Sequence, residues 1–153
     1  MLGHTQMSLL QGAGYIAYDG SPLQPPSVLW DIVDRYKATI IGVSPRYLAV
    51  LEGAKYWPGS RHSLKSLRQL GTTGAPLRPE QYSFIKERIW NGSTKPLGNG
   101  SGGTDISGPF VSAVQSLPIR VGELQAPVLG MQVEAWKEDG MPVYNDQGNV
   151  RGS

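Results

Sequence analysis

GTTGAP at 71–76 and GNGSGGTD at 98–105 are the two stretches on which the fold turns. Each follows a strand-forming run, and one amphipathic segment separates them, so they read as two strand-end turns flanking a crossover helix. In an open parallel sheet such turns lie side by side at the carboxyl ends of the strands, where α/β folds bind ligands. Glycine supplies positive φ between strand and helix, and it also leaves backbone N–H groups exposed. Thr104 adds a hydroxyl and Asp105 a carboxylate, a set that can hold a phosphate and a hard cation such as Mg²⁺. A small polar molecule with phosphate or adenine character is the ligand class this edge favours.

The flanking sequence supports that frame. Thr39 to Val43 (TIIGV) is β-branched and apolar, as a strand buried on both faces should be. Ser44 and Pro45 open a helix, the proline sitting where its missing N–H costs nothing, and Leu48, Val50 and Leu51 supply its apolar side chains. Upstream, Ser27 caps a helix through Lys37, with Val28, Leu29, Ile32, Val33 and Tyr36 on one face. Residues 5–13 (TQMSLLQGA) read as the end of a helix stopped by Gly14, YIAY (15–18) as a short buried strand and DGSPLQPP (19–26) as a loop.

Downstream, a loop surrounds Pro58 and Gly59, and Leu64 to Leu70 ends in a strand running into GTTGAP. Pro79 opens another helix, with Tyr82, Ile85 and Ile89 inward, and a strand near Lys95–Leu97 leads into the second glycine stretch. This alternation predicts an α/β parallel sheet with helical crossovers. From about residue 118 the pattern changes to short apolar runs between turn signals, which read as antiparallel β hairpins. Asp139-Gly140 is a hairpin-turn dipeptide between VEAW and MPVY. The first helix is already under way by residue 5 and the last hairpin stops at Ser153 without a partner strand, so the chain reads as part of a larger α/β enzyme.

Composition narrows the classes. The chain has 153 residues, 39% of them hydrophobic, with 20 glycines and 12 prolines spread along it: an ordered, loop-rich protein long enough for a real core. A net charge of +2 without a basic run argues against nucleic acid. There is no cysteine, which excludes disulfides, thiolate metal sites and a cysteine nucleophile. The two histidines, His4 and His62, lie far apart in sequence and suggest no metal site. Apolar runs are too short to span a bilayer and no leader pattern opens the chain, so a soluble cytosolic protein is expected. Trp30, Trp57, Trp90 and Trp136 read as packing residues.

Several nucleotide and hydrolase motifs are also excluded. GNGSGG (98–103) matches G-x-G-x-x-G, with Glu123 at roughly the distance of a ribose ligand, but Gly108-Pro109 cannot open the long helix a dinucleotide fold needs. Neither glycine stretch is followed by Lys-Ser or Lys-Thr, so there is no Walker-type loop. Asn99 breaks a G-x-S-x-G elbow around Ser101.

Four stretches carry a family resemblance: residues 18–52, GTTGAPL (71–77), SGGTDI (101–106) and GELQAPVLGMQVEAW (122–136). In this order and spacing they resemble the adenylate-forming acyl-CoA synthetases (AMP-binding enzymes), and within them the acetoacetate–CoA ligase branch, of which SGGTD is the most diagnostic piece. The resemblance implies the large N-terminal domain of such an enzyme. Residues 1–117 would be a partial nucleotide- and acyl-binding α/β subdomain, and residues 118–153 the incomplete start of an antiparallel β subdomain.

It also implies ATP/AMP, Mg²⁺ and coenzyme A as ligands, acetoacetate as the acid, and no nucleic-acid or membrane partner. Carried over by position, Gly74, Ala75 and Pro76 would line the adenine, Ala75 standing where glutamate is common. Asn99, Gly100, Ser101, Gly102 and Gly103 would form the wall between nucleotide and acyl group. Thr104 would bond the α-phosphate, and Asp105, shorter than the commoner glutamate, would hold Mg²⁺. Gly102 stands where acetate-using relatives carry tryptophan, and would leave room for the longer acid.

The family's phosphate loop with its lysine, its ribose-binding aspartate and its C-terminal catalytic lysine are not found in these 153 residues. The chain alone is therefore expected to be inactive, with no complete catalytic set. Two other readings stay open beside the enzyme segment. One is a non-catalytic relative with weak nucleotide affinity or a partner chain; the other is a structural domain whose glycine turns hold nothing.

Overall fold

The computed structural model describes residues 8–143. Its first layer is a parallel sheet of three strands in the order β1 (Ile40–Val43), β2 (Gln69–Thr72), β3 (Leu97–Asn99). Helix α1 (Val28–Tyr36) precedes β1. Helix α2 (Pro45–Gly53) and the short α3 (Pro58–Arg61) connect β1 to β2. Helix α4 (Pro79–Phe84), prolonged by a π turn at Ile85–Ile89, connects β2 to β3.

Strand order equal to chain order, with right-handed crossovers the rule, puts successive helices on one face of the sheet. The buried cluster agrees: Trp30 and Val33 of α1, Leu48 and Leu51 of α2, and Phe84, Ile85 and Ile89 of α4 and its π turn pack with Val43, Leu70 and Leu97 of the strands. The expectation that TIIGV is buried on both faces is therefore corrected. Val43 is in the core, whereas Ile40, in the alternate register, is 62% exposed. On that open face Gly42, Gly71 and Gly98 are in register, a row without side chains across the sheet.

Other local expectations meet tertiary competition. YIAY forms no strand, and Tyr15, Ile16 and Tyr18 are exposed. A four-residue run has no ladder to join here, and strand propensity without a partner does not hold. Ser27 stands at the start of α1, but its backbone is already helical (φ −77, ψ −21) and its side chain makes no capping bond. Trp30 rather than Tyr36 points to the core, Tyr36 being 56% exposed. Pro58 and Gly59 belong to α3, not to a loop, because proline suits a first helical turn.

Ser44 does cap α2, its Oγ accepting from the Tyr47 N–H at 3.2 Å. Leu48 and Leu51 are buried beneath it, while Val50 is exposed. Residues 8–10 are helical and end at Gly12, whose φ is +68; the start expected for that helix lies outside the described residues.

A second layer follows without a helix. Strands β4 (Ser101–Gly103), β5 (Gly108–Ser112) and β6 (Ala126–Pro127) form an antiparallel sheet, so antiparallel pairing begins at Ser101. Beyond it, Trp136 and Pro142 face each other in an antiparallel bridge. The Lys137 N–H donates to the Met141 carbonyl at 2.8 Å, and Gly140 has φ +79, so the Asp139-Gly140 turn forms as expected. Trp136 is 59% exposed and is not the packing residue expected; Trp30, Trp57 and Trp90 are. No helix among the described residues is long and apolar enough to cross a membrane.

Candidate functional site

The carboxyl ends of the three parallel strands open into Ser44-Pro45, Thr73–Leu77 and Gly100. Register seats the two glycine stretches together: Gly71 pairs with Gly98 and Thr72 with Asn99. The Gly100 N–H donates to the Thr72 carbonyl at 3.1 Å and carries the ladder one residue past β3. Gly74 turns the first stretch with φ +89, a left-handed backbone that glycine adopts without Cβ strain. Gly74, Ala75 and Pro76 are then exposed on the rim, and Leu77 anchors the loop in the core at 4% exposure.

Asn99 is the best-held polar side chain of this edge. The hydroxyl of the buried Thr72 donates to Asn99 Oδ1 at 3.0 Å, and Asn99 Nδ2 donates to the Tyr82 hydroxyl oxygen at 3.4 Å. Asn99 and Thr72 share the core face of the sheet, and Tyr82 comes up from α4 to meet them. This chain of bonds fixes the Asn99 amide between the two strand ends.

The second stretch is not the strand-to-helix turn expected, since it runs from β3 through Gly100 into β4, and its glycines serve a different need from the positive φ expected of them. None of Gly98, Gly100, Gly102 or Gly103 has positive φ; each is closely approached instead. A Cβ at Gly100 would stand 3.2 Å from the Val111 carbonyl oxygen. One at Gly102 would run into the Gly108 carbonyl oxygen and the Pro109 Cα, beside an irregularity in the β4–β5 register. The room expected of Gly102 is thus taken by the backbone of β5. The G-x-G-x-x-G spacing leads into a strand and not a helix, and Glu123 pairs with Arg120 at 3.8 Å in an exposed loop.

Thr104 and Asp105 sit at the tip of the β4–β5 hairpin. The Thr104 carbonyl accepts from the Ser107 N–H at 3.1 Å, and both side chains are exposed. The Asp105 carboxylate folds back over Gly103, where a Cβ would collide with its Oδ1. Among the described residues no group of three His, Asp or Glu side chains could hold a metal. A lone accessible carboxylate still fits Mg²⁺, which takes one or two protein carboxylates and completes its shell with water and phosphate oxygens.

Sequence reading did not single out Gln81. It is 1% exposed; its Oε1 accepts from the Arg78 N–H at 3.0 Å and its Nε2 donates to the Pro45 carbonyl at 2.6 Å. The signal was there, since a glutamine at the third position after a proline-opened helix start is half of a capping box. Arg78 cannot complete the box, because its side chain has only donors.

The model of the AMP-binding enzyme family matches residues 1–151. The chain belongs to the AMP-binding enzyme family. An acetoacetyl-CoA synthetase of Danio rerio is 45% identical over 144 residues, covering 94% of this chain and 21% of that protein. The solved structure of acetoacetyl-CoA synthetase from Streptomyces lividans superimposes with a TM-score of 0.74 at 34% identity, over 84% of this chain and 20% of that one. The anthranilate CoA ligase AuaEII, solved in complex with anthranoyl-AMP, gives 0.70 at 26% identity, over 86% of this chain and 24% of that one.

The chain thus spans about a fifth of the length of the curated relatives it matches. The resemblance to adenylate-forming enzymes, and the fold expected from it, are borne out.

Proposed function

We propose that the chain carries part of the nucleotide and acyl pocket of an acetoacetate–CoA ligase. In that reaction the acetoacetate carboxylate attacks the α-phosphorus of ATP, releasing pyrophosphate and forming an acyl-adenylate. The sulfur of coenzyme A then attacks the acyl carbon and expels AMP. The observation that carries the reading is the in-register seating of the two glycine stretches at the carboxyl edge, in a chain of this family.

Gly74, Ala75 and Pro76 would offer backbone and a flat apolar rim to the adenine. Asn99, locked by Thr72 and Tyr82, would stand with residues 100–103 between nucleotide and acid. Thr104 would donate to the α-phosphate, and Asp105 would hold Mg²⁺, which supplies positive charge against the phosphates when bound. Cationic stabilisation of the α-phosphate would come from elsewhere in a longer protein, so these residues alone would hold nucleotide without forming adenylate.

The test is an amide NMR titration of the chain with AMP and Mg²⁺. Shifts confined to 71–76 and 98–105 are expected, weakened when EDTA removes the metal. A folded spectrum that ignores AMP would sink the reading. Acetoacetate-dependent pyrophosphate exchange by the chain itself would contradict the claim that it lacks catalytic power.

A further inference from the structure

We infer that Gln81 is a positioning residue that sets the adenine-side loop against the neighbouring crossover, an inference that rests on the nucleotide reading of that loop. Residues 73–77 hang between two fixed points, the end of β2 at Thr72 and the start of α4 at Arg78. The second point is held by one side chain. Gln81 Oε1 takes the Arg78 N–H, and Gln81 Nε2 reaches across to the Pro45 carbonyl, the first residue of α2 beyond β1.

A single buried amide thereby ties the turn after β1 to the turn after β2, at the same sheet edge that holds Asn99. Both ends of the amide are used in opposite senses, one accepting and one donating, so neither an apolar residue nor a carboxylate reproduces the link. At 1% exposure no water replaces it. Gly74, Ala75 and Pro76 are exposed and carry no side chain able to hydrogen-bond, and residues 73–77 make no backbone hydrogen bond among the described residues, so the loop's placement depends on these anchors.

Backbone hydrogen exchange of the full chain, read by NMR for Gln81→Met, Gln81→Glu and the core variant Leu48→Ala, tests this. Gln81→Met is expected to speed exchange of the Arg78 amide, whose acceptor it removes, by about tenfold or more beyond the Leu48→Ala variant measured at equal global stability, and to shift the amide resonances of Gly74, Ala75 and Leu77, which Leu48→Ala leaves in place. Gln81→Glu keeps the acceptor and loses the donor. The Arg78 amide should stay protected in it while the Arg46 and Tyr47 amides at the start of α2 shift.

Equal Arg78 exchange in Gln81→Met and Leu48→Ala, or 74–77 resonances left unmoved in Gln81→Met, would overturn the inference, because a residue that merely stabilises the core does not single out this loop. Where Gln81→Met does not fold, an unchanged start of α2 in Gln81→Glu overturns it alone. An AMP titration of the same samples keeps the two readings apart. Wild-type chain that ignores AMP counts against the nucleotide reading, while the exchange pattern still decides the role of Gln81. Where the wild type binds, Gln81→Met should weaken AMP about tenfold.

Discussion

Two single residues are held by unusual surroundings. The Tyr47 hydroxyl is buried without a hydrogen-bond partner among the described residues, as is the Trp30 indole N–H; the two rings stand 6.4 Å apart. Burial pushes the Tyr47 phenol well above the usual range, and burial followed by the Asp31 charge pushes Tyr56 up, Arg61 offsetting in part. A phenol whose folded pKa is raised holds its proton more tightly folded than unfolded. The stability this brings is complete below the unfolded value of about 10 and is lost as pH rises through the folded value. The urea midpoint should therefore hold steady up to about pH 9 and fall as pH rises past about 10, and Tyr47→Phe should flatten that fall. At neutral pH the same substitution should leave the unfolding free energy unchanged or raise it by up to about 1 kcal/mol, since it removes an unpartnered buried hydroxyl; a drop of about 1 kcal/mol would show the hydroxyl to be bonded. Gly102 makes the opposite case. Gly102→Ala drives a Cβ into the backbone of β5, and a cost of about 1–3 kcal/mol is expected by chemical denaturation, with proton shifts along Gly108–Ser112. Both outcomes depend on contacts invisible in the residue's sequence neighbourhood.

At the level of elements, the parallel half was legible because each strand and helix carried its own period and its own punctuation. The Ser44-Pro45 start and the Pro79 start are local chemistry, and both lie where they were expected. The inner face of α4 was legible too, with Tyr82, Ile85 and Ile89 all buried. The switch to π geometry at Ile85–Ile89, seen in the Trp90 N–H donating to the Ile85 carbonyl five residues back, was not, because no residue of IKERI breaks the α period. The stretch from 113 to 125 shows how a loop without secondary structure is held. Gln125 Oε1 accepts from the Val114 N–H at 2.9 Å, and the two N–H groups of its Nε2 are shared among the carbonyls of Leu117, Val114 and Pro118. Gln125→Leu should open the 114–121 segment to limited proteolysis while the parallel sheet keeps its exchange protection, since a local clamp fails locally. Unchanged cleavage would show that the loop is held by its apolar contacts.

For the molecule as a whole, one cluster of buried side chains on one face of the parallel sheet carries the stability. Leu48, fully buried, lies in that cluster on α2, and Leu48→Ala should cost about 3 kcal/mol by urea denaturation. A much smaller cost would mean that the helix layer is not part of the cooperative core. The same layer includes a half-hidden polar junction: His62 Nε2 lies 2.6 Å from the Tyr56 hydroxyl, with Asp31 and Asp34 at 3.6 and 3.7 Å from Nδ1. Asp34 also accepts from the N–H groups of Ser63 and Leu64, so α1 is stitched to the approach to β2. Sequence alone determined the α/β class, the glycine turn at 71–76, the helix starts at Pro45 and Pro79, the Asp139-Gly140 turn and the family, because each is written in short-range chemistry or in a linear string of residues. Tertiary structure alone decided which face of β1 is covered, that YIAY stays outside any sheet, that the glycines of 98–103 admit a neighbouring strand, and that Gln81 joins two crossovers. Those outcomes depend on which distant segment arrives beside a residue, and that is settled only when the chain has packed.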